Sequence, residues 1–322
     1  MNRSKAPALL CLALLGACSP LYVARSTSGH AGLLWRRRSI SRTIADPKTS
    51  PALKKKLEAV AAMRSYAFDK LALKRSHDYE AWTPVKGSVL TWLVSASERL
   101  NLRSYEFRFP FAGAFPYKGH FRRDLAEREA ARLEEKGYDA TVSGAAAYNT
   151  PLPVSDPLPS SLLSYGEGSL AETLIHELAH GTVYFKDRTE FDEAVATWIG
   201  LRGARSYLHD RYGDDSPEMK EWDEELAERK RADDLFLELK EKLKALYDGP
   251  ADPTEKMEKR QALFAWARRQ AAERGVPLRE PLNNAVVLAH ALYAPDLAPF
   301  DAIFVKNDRD WPKTIAAFKA MR

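Results

Sequence analysis

The sequence predicts an α+β fold that is mostly helical. Apolar residues recur at three- and four-residue spacing in several long stretches, as at Leu53, Leu57, Val60 and Met63, which is typical of a helix with one buried face. Apolar and polar residues alternate, as they do in strands, only in a short stretch around 105–121, where glycine and proline interrupt the pattern. With 322 residues, 45% of them hydrophobic, the chain can bury a substantial core.

The predicted elements alternate between helices and a few short strands. Pro47 and Pro51 separate the first two helices, and Asp248-Gly249-Pro250 separates two highly charged helical runs within a segment at about 205–275. In chain order, we expect helices over 21–44 and 51–74, short strands within 105–121, a helix over 122–136, a strand over 140–148, an irregular loop over 151–164, helices over 169–185, 191–207, 217–247 and 254–274, and a last segment over 282–321 that packs beside the core.

The N-terminus has the features of a lipoprotein leader. Arg3 and Lys5 precede an apolar run over 6–17 that is too short to span a bilayer but suits a signal-peptide core. The run ends in Leu15-Gly16-Ala17-Cys18, which resembles a bacterial lipobox. We therefore predict that residues 1–17 are a signal peptide and that Cys18 is acylated. The alternative is an ordinary signal peptide with an incidental cysteine.

Cysteine usage favours the anchor. The other cysteine, Cys11, lies in the leader, so the mature chain keeps Cys18 alone and forms no internal disulfide. A serine at position 19 is compatible with transport to the outer membrane. We expect a single mature domain over 18–322, bound to the bacterial cell envelope through the lipid on Cys18 and facing the periplasm from the outer membrane. The net charge of +5 comes from charges of alternating sign, so we expect no nucleic-acid partner.

The run His176-Glu177-Leu178-Ala179-His180 is the HExxH pattern of zinc hydrolases. Two histidines four residues apart lie on one face of a helix, so both imidazoles can bind one zinc ion, and the glutamate between them can accept a proton from water. A catalytic zinc needs a third protein ligand, and Glu193 is the candidate, thirteen residues after His180. The alternative is a partly buried helix whose histidines bind backbone or carboxylate groups.

Several stretches of the chain match the pattern of one known family: Phe109-Pro110 through Pro116-Tyr117-Lys118-Gly119, Ala147-Tyr148-Asn149-Thr150, Ile175 through His180, Phe191-Asp192-Glu193-Ala194 through Ala196-Thr197, and Leu282-Asn283-Asn284-Ala285. Through these stretches the chain resembles a family of bacterial putative aminopeptidases, predicted zinc metallopeptidases found mostly as envelope lipoproteins. The resemblance implies a zincin-like fold of the glutamate-zincin type, with a small β-sheet beside the HExxH helix. It also implies that His176, His180 and Glu193 are zinc ligands and that Glu177 is the general base.

Two positions depart from the family pattern without removing a ligand. Gly181 stands where glutamine is common, and Asp192 stands where asparagine often precedes the ligand glutamate, which leaves Asp192 as an alternative third ligand. One turn after the ligand, where related zincins often have an acid that steadies a ligand histidine, this chain has Thr197.

Other candidate residues follow from mechanism. Tyr148 is the first candidate for stabilising the oxyanion, with Tyr117 and Tyr293 as alternatives, although each is equally compatible with a packed aromatic side chain. An aminopeptidase also needs a carboxylate for the substrate ammonium, and Asp156, Glu167 and Glu172 are candidates. Asn283 and Asn284 would either contact substrate or cap a helix.

The sequence thus predicts a zinc-dependent metallopeptidase that binds one zinc ion and hydrolyses peptide or protein substrates. Two alternatives remain at this stage: an envelope lipoprotein whose zinc site is structural or inactive and which acts by binding a partner, and a hydrolase of cell-wall peptide bonds.

Overall fold

The computed structural model describes residues 20–109, 113–146, 155–185, 188–292 and 296–321. The fold is a mostly helical α+β arrangement, as the sequence predicts. The helices are α1 (Pro20–Trp35), α2 (Ile40–Ala45), α3 (Pro51–Asp69), α4 (Arg123–Glu135), α5 (Glu167–His180), α6 (Thr189–Tyr212), α7 (Pro217–Asp248), α8 (Pro253–Arg274), α9 (Asn284–Leu292), α10 (Ala298–Lys306) and α11 (Trp311–Lys319).

The strands form three small sheets. They are β1 (Arg38–Ser39), β2 (Ala81–Thr83), β3 (Thr91–Ser97), β4 (Phe107–Phe109), β5 (Gly113–Phe115), β6 (Tyr117–His120), β7 (Asp139–Ala145) and β8 (Leu158–Pro159). The sheet beside the site has the order β6-β3-β7 and is antiparallel, with Ser95 opposite Tyr117 and Val94 opposite Val142. The other two sheets have the orders β1-β2-β8 and β4-β5.

The largest hydrophobic cluster joins α3, α5, α6 and the C-terminal helices. Leu57, Val60 and Met63 of α3 are buried in it, so the predicted apolar face is confirmed. Trp198 of α6 is fully buried, contacts the rings of Phe304, Trp311 and Phe318, and donates its indole hydrogen to Asp301 at 2.7 Å. These contacts fix α6, the helix that carries the candidate third metal ligand, against the C-terminal segment.

The two charged helical runs are α7 and α8, and their predicted positions are confirmed. Ser216 and Asp252 cap their first turns, and Gly275, with φ of +66°, ends α8 in a left-handed conformation. Their buried faces form a separate cluster that includes Phe236, Leu239 and Phe264. These runs therefore have one buried face each as well as solvated faces.

A buried ion pair ties this helical pair to the sheet. Arg260 of α8 binds Asp139 at the start of β7, and both side chains are almost completely buried. Asn284 donates to the carbonyl oxygens of Glu98 and Arg99 at 2.9 and 3.2 Å, while Asn283 caps α9 by accepting from the amide of Val286. Asn283 therefore has the capping role that the sequence offers as one alternative, and Asn284 is buried in hydrogen bonds to the turn after β3.

The structure corrects several predicted boundaries. The first predicted helix is split, because residues 38–39 pair with 81–82 as strands and Ser39 then caps α2. Helix α3 ends at Asp69 instead of 74, since the amide of Leu71 bonds to the carbonyl of Tyr66 and Ala72 has a positive φ. Helix α5 covers Glu167–His180 instead of 169–185, and α6 extends to Tyr212 instead of 207. None of the helices in the described ranges combines the length and apolar composition that a membrane crossing needs.

Candidate metal centre

Helix α5 presents its two histidines on the face opposite its buried one. Leu174, Ile175 and Leu178 are buried in the main core, which fixes the rotation of the helix. His176 and His180 therefore lie one turn apart on the remaining face, with their Nε2 atoms 3.2 Å from each other and their ring planes at 81°. The two ring nitrogens that face each other are the atoms that would bind one metal ion.

Glycine lets α6 approach α5 closely at the level of these histidines. A Cβ atom at Gly200 would lie 2.9 Å from the carbonyl oxygen of Glu172 and 3.1 Å from Cβ of His176. The backbones touch there, so Glu193, two turns earlier in α6, reaches the histidines. Its Oε2 lies 3.4 Å from Nε2 of His176 and 3.9 Å from Nε2 of His180.

The donor set fits a zinc ion. One ligand atom from each of His176, His180 and Glu193 can be chosen so that all three lie within 4.8 Å of one another. Two imidazole nitrogens and a carboxylate oxygen are the donors of many catalytic zinc sites, which leave a further position for substrate or water. Across the described part of the chain, this is the one group of three or more such side chains placed to hold a metal.

Asp192 lies next to this set but faces another way. Its Oδ2 is 3.0 Å from Nδ1 of His180, the ring nitrogen on the far side from Glu193, and its Oδ1 accepts from the amide of Phe185 at 3.0 Å. Asp192 is thus absent from the group of three and is placed to orient His180. One turn after Glu193, where related zincins often have such an acid, this chain has Thr197. The carboxylate is instead supplied by Asp192, the residue just before Glu193.

Burial and neighbouring charges together shift the pKa values of the site residues. Burial alone would lower the pKa of His180, but the hydrogen bond to Asp192 and the carboxylates of Glu177 and Glu193 raise it to about 9. Burial raises the pKa of Glu193, yet its hydrogen bond to His176 and the charges of both histidines outweigh this effect and lower it. Without a metal, protonated His180 and ionised Glu193 thus attract each other as opposite charges.

A comparison with known families gives a match over most of the chain. Residues 21–322 match the family described as Putative aminopeptidase. The chain belongs to the putative aminopeptidase family. No curated protein and no solved structure matches the chain. The family name indicates a peptidase. The chemistry of the site follows from this chain's own residues.

The charges that act on Glu177 come from its own helix and from two other segments. Burial raises its pKa, the charges of His176 and His180 oppose that rise, and Glu193 and Asp156 add to it. Tyr79 is completely buried, and its pKa is well above the usual value because of burial and of the charge of Glu177. The sequence does not single out Tyr79, because nothing near it in the chain indicates that the charge of Glu177, more than ninety residues away, acts on it.

Tyr117 lies on β6, close enough to Glu193 and Glu177 for their charges to act on it. Its pKa is raised to about 12, first by burial and then by the charges of Glu193 and Glu177. The structure thus brings one of the alternative tyrosines beside the metal-binding group. Tyr148, the first candidate, lies outside the described residues, as do Tyr293 and Cys18.

Two of the three candidate carboxylates for the substrate ammonium are engaged elsewhere. Glu167 accepts hydrogen bonds from Tyr207 and Tyr212, and Glu172 forms a bidentate pair with Arg229. Asp156 is 7% exposed, and its charge acts on both Glu177 and Tyr79. Of the three, Asp156 is the carboxylate near the reacting groups.

Proposed function

We propose that this protein is a zinc-dependent aminopeptidase of the glutamate-zincin type. The observation that carries the proposal is the convergence of His176, His180 and Glu193 on one point, with Glu177 on the same helix. A structural zinc site usually has four closed protein ligands, whereas three ligands leave room for substrate. This feature favours an enzyme over a lipoprotein that acts only by binding a partner.

In the proposal, Nε2 of each histidine and a carboxylate oxygen of Glu193 hold the zinc ion. Asp192 accepts the Nδ1 hydrogen of His180 and keeps a proton on that nitrogen, so the zinc ion would displace the proton on Nε2. When bound, zinc would supply Lewis-acid polarisation of the scissile carbonyl and would make water more acidic. Glu193 has a lowered pKa, so it is ionised at neutral pH, as a ligand must be.

Glu177 is the proposed general base. A buried carboxylate with a raised pKa is a better proton acceptor than an exposed one, and it can return the proton afterwards. It would accept a proton from the attacking water and donate it to the nitrogen of the leaving amine. The two proton transfers leave Glu177 in its starting state, so the side chain acts catalytically.

Tyr117 is the described residue best placed to donate a hydrogen bond to the oxyanion. With a pKa of about 12, its phenol keeps its proton at neutral pH. β6 pairs with the central strand β3, so the side chain is held by a sheet and not by a loop. Tyr148 stays a prediction from the sequence, because its position lies outside the described residues.

Asp156 is the proposed partner of the substrate's ammonium group. A buried carboxylate near the catalytic glutamate would attract a cation and leave a neutral, blocked N-terminus unbound. This contact is what would distinguish an aminopeptidase from an endopeptidase with the same zinc chemistry. Its position therefore supports the exopeptidase activity that the family description names.

The experiment is peptide hydrolysis by purified residues 19–322, with products identified by mass spectrometry and zinc measured in the same sample. Replacing Glu177 by Gln should leave the zinc content unchanged and slow cleavage by about two to four powers of ten, the range for a lost acid–base group. Glu190→Gln is the matched control, since Glu190 is an exposed carboxylate at the start of α6. Cleavage by the Glu177→Gln variant at the wild-type rate would show that the proposed mechanism is wrong.

Two further variants test the other roles. Tyr117→Phe should lower kcat about tenfold to a thousandfold with little change in KM, because the hydroxyl acts as charge develops on the oxygen. Asp156→Asn should raise KM for peptides with a free N-terminus. If it slows N-acetylated peptides equally, Asp156 does not recognise the ammonium.

A further inference from the structure

The charge of the chain is unevenly distributed at its N-terminus. Residues 1–45 contain seven of the 49 basic residues and none of the 44 acidic residues, so residues 46–322 have a net charge of −2. Within the described part, residues 20–45 carry five arginines and no carboxylate. The alternation of charge expected for the whole chain therefore fails in this segment.

Four of these arginines lie beside an exposed tryptophan. Trp35, the last residue of α1, is 91% exposed, the most of any large hydrophobic side chain in the described ranges. Arg36, Arg37 and Arg38 follow it and are exposed, as is Arg42 on the next helix. We call these five residues the basic–aromatic patch. They lie within eight consecutive positions, so they share one small region of the surface.

The charges of the patch are not neutralised. In the ranges that the structure describes, none of its arginines forms an ion pair with a carboxylate. Arg36 donates to the carbonyl oxygen of Gly32 at 3.0 Å, and the guanidinium of Arg38 lies 5.6 Å from the ring centroid of Trp82. These contacts hold the side chains in place and leave their positive charge available to an external partner.

The patch is presented by a segment that is docked on the fold. The hydroxyl of Tyr22 donates to the carbonyl oxygen of Gly119 at 3.1 Å. The hydroxyl of Thr83 donates to the carbonyl oxygen of Leu33 at 3.0 Å. Leu33 itself is buried. Helix α1 therefore has a face that packs on the protein, and the patch begins at its last residue, Trp35.

We propose that the basic–aromatic patch docks on the surface of an anionic phospholipid bilayer. Indole rings partition to the boundary between headgroups and acyl chains, and clustered arginines are attracted to anionic headgroups, so the two side-chain types together match this partner. A neutral partner would leave four unpaired arginines unused, and a purely polar anion would leave the indole exposed. The proposal is independent of the zinc site and of acylation at Cys18.

Docking would also orient the candidate active site. Helix α1 contacts β6 through Tyr22, and β6 carries Tyr117 beside the metal-binding group. A bilayer bound at the end of α1 would hold this face of the protein at a fixed height above the lipid.

The test is co-sedimentation of residues 19–322, which have no site for the lipid anchor, with two kinds of vesicle. One kind contains phosphatidylcholine alone and the other contains phosphatidylcholine with phosphatidylglycerol. We expect binding to the anionic vesicles only. The triple variant R36Q/R37Q/R38Q should bind on the order of a hundredfold more weakly, because each arginine near an anionic surface contributes about fivefold. Trp35→Ala should weaken binding at high salt as well as at low salt, since its contribution is apolar.

The matched control is K220Q/R231Q/R269Q, which removes three exposed basic residues that form no ion pair in the described structure. All variants carry surface substitutions, and circular dichroism checks that they fold. Equal loss of binding in this control and in the patch variant would overturn the proposal. Equal binding to neutral and anionic vesicles, or binding to duplex DNA without binding to anionic vesicles, would also overturn it.

Discussion

Replacing Asp192 by Asn isolates the role of the carboxylate that stands behind His180. The side chain accepts from Nδ1 of His180 and from the amide of Phe185, both at 3.0 Å, and it is nearly buried. Asparagine keeps the size of the side chain and one acceptor oxygen. It removes the negative charge that favours the tautomer with its proton on Nδ1, which is the form that leaves Nε2 unprotonated for a metal.

The expected magnitude follows from that geometry. Outer carboxylates of this kind change metal affinity by about 10- to 100-fold, which corresponds to roughly 1.4–2.7 kcal/mol. The effect should lie toward the upper end of this range, because the pair is buried and the hydrogen bond to Asp192 is the largest effect that raises the pKa of His180. Removing a direct ligand, as in Glu193→Gln, should cost more.

The assay is competition for zinc between the protein and a chromophoric chelator of known affinity. Asp214→Asn is the matched control, because Asp214 is also 3.0 Å from Nδ1 of a histidine, His209, at the far end of the same helix. The control should bind zinc as the wild type does. Loss of zinc by Asp192→Asn as complete as that of His176→Ala would refute the reasoning and would make Asp192 a ligand. A zinc affinity of Asp192→Asn equal to that of the wild type would also refute the reasoning, because Asp192 would then have no effect on metal binding.

Two further predictions concern the helix crossing and the anchor. Gly200→Ala should lower the free energy of unfolding by about 1–3 kcal/mol and weaken zinc binding, because its Cβ would meet the backbone of α5 at 2.9 Å. The control Gly32→Ala, at a helical glycine with nothing within 4 Å, should stabilise the protein by up to about 1 kcal/mol; both are measured by chemical denaturation. For the anchor, mass spectrometry of the membrane fraction should show a mature chain that begins at an acylated Cys18. A Cys18→Ser protein with unchanged processing and membrane association would contradict this.

Helices with strong apolar periodicity could be predicted from the sequence, and strands that depend on distant partners could not. The bounds of α7 and α8 were predicted to within one residue because serine, aspartate, proline and glycine mark their ends locally. The central strand β3 was missed. Its inner and outer faces are both partly covered, so its residues do not alternate cleanly, and its partners lie more than twenty residues away.

The same distinction applies to the site. The two histidines and Glu177 are fixed by their spacing on one helix, so the sequence was enough to place them together. Tyr79, Tyr117 and Asp156 come from three other segments, and their proximity to Glu177 depends on tertiary packing. Tyr117 was a candidate from its chemistry alone, and no pattern in the sequence favoured it over Tyr148.

The adjacent pair Asp192-Glu193 shows how helix geometry resolves an ambiguity that sequence leaves open. Side chains of consecutive residues on a helix point about 100° apart. Two neighbouring carboxylates are therefore not expected to approach the same nitrogen of one imidazole ring. Glu193, with the longer side chain, reaches Nε2 of both histidines, while Asp192 meets Nδ1 of His180 from the other side. The ring of His180 thus lies between Glu193, the proposed ligand, and Asp192, the carboxylate that orients the ring. It follows that exchanging the two residues, in a D192E/E193D variant, should impair zinc binding although it keeps every charge, because neither carboxylate would then have the length that its position requires.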